Sequence, residues 1–205
     1  MTLDEALAEA PIVAILRGVR PNEVEPVAEA LHSAGVRVVE VPLNSPEPLE
    51  SIRRLAEGFR GRLVCGAGTV LTPEEADAVA DAGGEIMVSP NTRPAVIRRA
   101  VERGLAPMPG FATPSEAFEA YDAGARKLKL FPAVTYGSAF VRQIKAVLPK
   151  DASLYAVGGV GAAAMAEWRA AGVAGFGVGS EIYKPGQSPD ETHAKAEALV
   201  RASRG

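Results

Sequence analysis

The chain has 205 residues, 47% of them hydrophobic, which is enough for one globular domain with a sizeable core. A formal net charge of -3 and the lack of any basic run exclude a surface that neutralises a row of phosphates, so nucleic acid is not an expected partner. Apolar runs stop at five or six residues, short of a bilayer span; Cys65 has no second cysteine to pair with, and the amino terminus is acidic rather than signal-like, so the expectation is a soluble cytoplasmic protein.

Short Val-, Ile- and Leu-rich runs alternate with longer Ala-rich stretches carrying charges at helical spacing. Ile12-Leu16, Val36-Val41, Arg62-Cys65, Glu85-Val88, Leu105-Met108, Lys127-Phe131, Leu154-Val157 and Gly175-Val178 read as eight strands. Their lack of polar alternation predicts cover on both faces. Helical stretches lie between them, including Pro26-Ser33, Pro73-Asp81, Pro94-Arg103, Pro114-Asp122 and Ala162-Ala171. Thr72-Pro73 and Thr113-Pro114 are favoured helix starts. Gly35, Gly83, Gly104, Gly124 and Gly172 stand where left-handed C-caps are wanted, and with Gly58 they suggest one βα unit per roughly 20–25 residues. Eight such units predict a single-domain (β/α)8 TIM barrel, with Leu3-Glu9 as a short extra N-terminal helix over the barrel floor. An open doubly wound sheet is the competitor, but it would need edge strands and a Gly-rich nucleotide turn.

In a barrel the site lies at the carboxyl ends of the strands. Those ends carry Arg17, Glu40, Gly66-Ala67-Gly68-Thr69, Ser89-Pro90-Asn91, Lys129, Gly158-Gly159 and Gly179-Ser180. Leu128 and Leu130 share one strand face, so Lys129 and Phe131 take the other, into the barrel. Desolvation there favours a neutral, nucleophilic amine suited to Schiff-base chemistry. The alternative is a lysine whose head snorkels to solvent. Lys127 has the same parity but lies about 7 Å nearer the floor and reads as structural. Lys145, Lys150 and Lys184 read as solvated.

Glu40 sits among valines, too costly to bury without a role or a counter-charge. It reads either as a proton carrier with a raised pKa or as the ion-pair partner of Arg17 or Lys129. Arg17 offers a fork for a carboxylate or phosphate, or a rim salt bridge. The last two glycine turns match the usual barrel phosphate site. Thr69 either binds a substrate carboxylate or caps the turn before Pro73. His32 and His193 are too isolated for a metal site, and Cys65 and Trp168 read as packing.

Across nearly the whole chain the sequence resembles the bacterial aldolases that cleave 2-dehydro-3-deoxy-6-phosphosugar acids to pyruvate and glyceraldehyde 3-phosphate. The matching stretches are Ile15-Leu16-Arg17-Gly18, Glu40 to Pro46, Gly66 to Val70, Ser89-Pro90-Asn91, Leu128 to Pro132 and Val157-Gly158-Gly159-Val160. The resemblance implies Lys129 as Schiff-base lysine and Glu40 as general acid and base. It implies Arg17 and Thr69 as substrate-binding residues, and Gly159, Gly179 and Ser180 as phosphate-binding ones. Gly158, Pro90 and Phe131, at the same rim, join the expected substrate-binding set. Pro42-Leu43-Asn44-Ser45-Pro46 and Ala156-Val157 look like the galactonate-type branch, whereas gluconate-type enzymes usually carry Thr-Leu-Arg-Thr and a threonine at the latter site. The resemblance further implies a homotrimer acting on a small phosphorylated 2-oxo acid, with no cofactor and no metal. A phosphosugar isomerase or epimerase, a metal-dependent aldolase and a non-catalytic phosphosugar-binding protein are the rival readings.

Overall fold

The computed structural model describes Met1–Gly205. Nine parallel strands run β1 (Ile12–Ile15), β2 (Val38–Pro42), β3 (Val64–Gly68), β4 (Ile86–Val88), β5 (Ala106–Met108), β6 (Gly110–Phe111), β7 (Lys127–Leu130), β8 (Ser153–Val157) and β9 (Gly175–Val178). Their order in the sheet is β5-β4-β3-β2-β1-β9-β8-β7-β6, so the two ends of the list are one interrupted stave. Pro109 has no N–H for the ladder and separates the halves: β5 pairs with β4, and β6 pairs with β7. The amide of Lys129 donates to the Pro109 carbonyl at 2.9 Å, carrying hydrogen bonding across the break. The result is the expected (β/α)8 barrel, with its fifth stave resuming at Gly110 beyond the predicted Leu105-Met108 run.

β2 and β3 also reach further than the apolar pattern predicts. Gly66, Ala67 and Gly68 belong to β3, each paired with β2, rather than to a loop. A Cβ at Gly66 would collide with the Ile86 carbonyl of β4. Glycine lets those two backbones meet.

Alternate strand residues divide between two cores. Val39, Val41, Cys65, Met87, Leu128 and Leu130 face the helices within a 54-residue cluster. Val13, Val38, Val64, Ile86, Met108 and Tyr155 fill the barrel with Ala6 and Leu7. Full burial of such side chains contributes about 1.5–3 kcal/mol each before entropy is counted, which explains the near-continuous apolar runs.

Ala6 and Leu7 come from α1 (Leu3–Glu9), capped reciprocally by Thr2 and Glu5, which closes the floor as expected. Lys127 Nζ donates to Asp4 of this helix at 2.5 Å. The outer helices are α2 (Pro21–Ser33), α3 (Pro48–Gly58), α4 (Pro73–Asp81), α5 (Pro94–Glu102), α6 (Pro114–Asp122), α7 (Ala133–Lys145), α8 (Met165–Ala171) and α9 (Pro189–Arg204), with a 3-10 turn at Ala162–Ala164 leading into α8. Thr72 and Thr113 cap α4 and α6, in reciprocal bonds with Glu75 and Glu116.

α2 begins five residues before the predicted Pro26: Pro21 is its first residue, and Glu23 accepts from the Arg20 amide. Pro26 lies inside the helix on its exposed side, where its missing N–H removes one i→i−4 hydrogen bond. Gly35, Gly83, Gly104, Gly124 and Gly172 all take positive φ, as expected of helix-ending turns. In the third unit Gly58 is still helical, and Gly61 makes that turn instead.

Candidate active site

Glu40 and Lys129 come from staves on opposite sides of the β1–β9–β8 arc and meet inside the barrel. In register, Glu40 lies beside Ile15 and Gly66, and Lys129 beside Gly110 and Tyr155. Both are buried, Glu40 at 2% and Lys129 at 7% exposure. The lysine therefore does not snorkel to solvent. Together they line a cavity of about 10 Å³, the space of one water molecule, otherwise walled mainly by Val13, Ile15, Val88, Met108 and Val157.

Burial drives the electrostatics of the pair. It raises the Glu40 carboxyl to about 7, against the opposing pull of Lys129 and Arg17. It lowers the Lys129 ammonium, with Glu40 acting the other way and Arg17 adding to the fall. Glu40 Oε2 has no hydrogen-bond partner, so the acid is not neutralised in a closed ion pair. Lys129 Nζ stands 4.8 Å from the centre of the Phe131 ring, a cation–π distance that favours charge when the amine is protonated. Gly68 makes room for the acid: a Cβ there would overlap Glu40 Oε2.

Above this pair opens a cavity of about 490 Å³. Ile15, Val157 and Gly177 line both spaces, so outer chamber and buried pair form one funnel. Arg17, Phe131, Gly158, Gly159, Gly179 and Ser180 all line the outer chamber. Gly158 and Gly159 are both left-handed, at φ of 96° and 78°, and a side chain at Gly159 would meet Val134 Cγ1 at 2.8 Å. Consecutive bare amides in such a turn suit an anion. Arg17 is held not by a carboxylate but by the amide of Asn44, which accepts from Nη1 at 2.5 Å.

Two expected residues fall outside both spaces. Thr69 follows Gly68 in a left-handed conformation, φ 58°, uncommon for a non-glycine residue and concentrated at functional sites. Thr72, not Thr69, caps α4. Pro90 sits against Gly110, where a Cβ would lie 2.9 Å from the following Asn91 nitrogen. Neither Thr69 nor Pro90 lines either cavity.

Other residues join the chamber without having been singled out. Glu181, Tyr183, Lys184 and Pro185 line it, Lys184 at its exposed edge and solvated as expected. Their one signal in the sequence is that they follow the strand-end Gly179-Ser180 turn. Cys65 faces the outer core, its thiol pushed up to about 12, chiefly by burial. Trp168 is buried, and His193 pairs with Ser33 and the Ala30 carbonyl on the helical shell. No group of three or more His, Cys, Asp or Glu is placed to hold a metal. No helix is long and apolar enough to cross a membrane.

Known proteins share this fold and much of this sequence. The chain is 45% identical over 194 residues to the 2-dehydro-3-deoxy-6-phosphogalactonate aldolase of Escherichia coli (strain K12), an overlap of 95% of each chain. It is 46% identical over 194 residues to the probable 2-dehydro-3-deoxy-6-phosphogalactonate aldolase of Rhizobium meliloti (strain 1021), covering 95% of this chain and 92% of that one. A solved structure described as native KDPGal superposes with a TM-score of 0.93 at 45% identity, covering 95% of this chain and 94% of the other. The profile of the KDPG and KHG aldolases matches residues 3–198, with the amine, the acid and the glycine turns all inside the match, and the chain belongs to that family.

Proposed function

We propose that the protein is a Schiff-base aldolase that cleaves 2-dehydro-3-deoxy-6-phosphogalactonate to pyruvate and D-glyceraldehyde 3-phosphate. The observation that carries this reading is a lysine amine and a carboxyl buried beneath a chamber lined by Arg17 and bare glycine turns, each shifted toward its neutral form. Lys129 adds to the 2-oxo carbon and water leaves, giving an iminium that draws electrons. Glu40 accepts the proton of the hydroxyl on the second carbon beyond the imine. The bond joining the first and second carbons beyond the imine breaks, the second carbon departs as the aldehyde, and the bonding pair remains on the first carbon as an enamine on Lys129. Glu40 returns its proton to the enamine carbon, and water releases pyruvate and the free amine. A carboxyl near 7 is well placed to take and return a proton near neutrality.

In this reading the glycine turns at Gly158-Gly159 and Gly179-Ser180 hold the phosphate, and Arg17 and Phe131, on the chamber wall, contact the substrate. For Thr69 and Pro90, which line neither cavity, only the family resemblance supports a substrate contact. Val157 lines both cavities and carries no hydroxyl, and both relatives named above carry the galactonate name. Those two facts favour the galactonate epimer. The family resemblance supports a cytoplasmic homotrimer.

The experiment is a side-by-side assay of the galactonate and gluconate epimers, following pyruvate and glyceraldehyde 3-phosphate in equal amounts. Cleavage of both with a higher kcat/KM for the galactonate epimer is expected. A preference for the gluconate epimer would overturn the specificity, and release of an isomerised or epimerised sugar acid without pyruvate would overturn the reaction class.

A further inference from the structure

The first, second and last βα loops meet around Arg17. Its guanidinium has one side-chain partner, Asn44 Oδ1 at 2.5 Å, 27 residues along the chain. The next residue is gripped by the same neighbouring loop: the Gly18 amide donates to Ser45 Oγ at 2.9 Å. Ser45 is itself buried and anchored by its amide on the Pro42 carbonyl at the end of β2. On the other side, Pro185 presses against Gly18, whose Cβ, if present, would stand 2.7 Å from Pro185 Cγ. Backbone and side chain of this one turn are thus both pinned from β2.

We propose that Asn44 is a positioning residue that aims Arg17 into the anion chamber while leaving its charge unspent. Arg17 and Asn44 are both exposed at the rim, so their hydrogen bond contributes little to folding and its consequence is orientation. A guanidinium has five N–H donors; an amide oxygen occupies one and fixes the plane, and the rest of the fork stays free for an oxyanion. A carboxylate at the same place would hold the fork equally well but would cancel the charge that the substrate must meet. The neutral acceptor is the informative feature. The inference rests on the reading of the chamber as the substrate's anion site.

That distinction sets the test: Asn44→Ala and Asn44→Asp against wild type, with kcat and KM for 2-dehydro-3-deoxy-6-phosphogalactonate, and with the pyruvate concentration that half-saturates borohydride trapping. Asp keeps the acceptor and adds a charge, so a merely structural contact ranks Asp nearer wild type than Ala. The proposal ranks them the other way, with the change carried by KM: a rise of about tenfold for Ala and up to about a hundredfold for Asp, the span of a lost charge-assisted hydrogen bond. Equal shifts for pyruvate would assign Arg17 to the carboxylate, and shifts confined to the full substrate would assign it to the phosphate; either supports the proposal. Asp tighter than Ala, or both matching wild type, would overturn it. A wild-type protein that neither cleaves the substrate nor traps pyruvate would instead overturn the aldolase reading, and the proposal with it.

Discussion

Replacing Gly68 with alanine would strike Glu40 without altering its chemistry. Gly68 lies in β3 beside Pro42, and its backbone is compatible with any residue, so one added methyl is the whole perturbation. That methyl would stand 2.6 Å from Glu40 Oε1 and overlap Oε2, where ordinary contact needs about 3.4 Å or more. Oε2 must retreat by about 2 Å, and a misplacement of about 1 Å can already cost on the order of 10²-fold in turnover when it moves a reacting group. Glu40→Gln alone should slow kcat at least about 10²-fold, the lower range of general acid–base catalysis. Since both changes act on one proton carrier, the double variant should be no slower than Glu40→Gln. Steady-state kinetics of the three variants, with thermal melts as control, make the measurement. Gly66→Ala is the contrast: its methyl collides with the Ile86 backbone, so it should lower the melting temperature rather than selectively slow a folded enzyme. Near-normal turnover in Gly68→Ala, or losses that multiply in the double variant, would refute the reasoning.

Further outcomes follow from the same geometry. The raised carboxyl binds a proton in the folded state between its ordinary value of 4.5 and about 7, so its contribution favours folding below that window and is lost as pH rises through 7. Urea titrations should therefore show Glu40→Gln gaining stability relative to wild type from pH 5 to pH 8, and a variant that loses stability relative to wild type over that range would contradict the shift. Val157→Thr should move the epimer preference toward the gluconate substrate by one to a few kcal/mol, read as a ratio of kcat/KM values. Gly159→Ala combines a left-handed backbone with a clash against Val134, and should raise KM for the phosphorylated substrate while pyruvate trapping keeps its half-saturation. Equal effects on both ligands would remove that turn from the phosphate site.

The barrel and the position of its reacting pair were legible because they depend on parity. Runs of Val and Ile mark staves buried on both faces, glycines after the helices mark the turns, and Leu128 and Leu130 facing out oblige Lys129 to face in. Reach and registration were not legible. Whether Glu40 would close an ion pair depended on distances between staves, and the structure leaves its Oε2 unpartnered. The role of Gly68 is visible only once β2 and β3 are aligned, since nothing in Gly66-Ala67-Gly68 says which glycine faces an acid and which a backbone. The Pro109 break looked like a strand end because proline removes a ladder donor, yet the stave resumes at Gly110. Pro26 hid the start of α2, and contacts such as Arg17 to Asn44 or Gly18 to Pro185 join loops that only the closed barrel brings together.

The central claim is that one buried amine, Lys129, bonds covalently to the 2-oxo carbon. Borohydride reduction in the presence of pyruvate, followed by peptide mass mapping, reads it directly. A stable adduct located on Lys129 and absent from Lys129→Ala is predicted; an adduct on another lysine, or none in a protein that still cleaves its substrate, would contradict it.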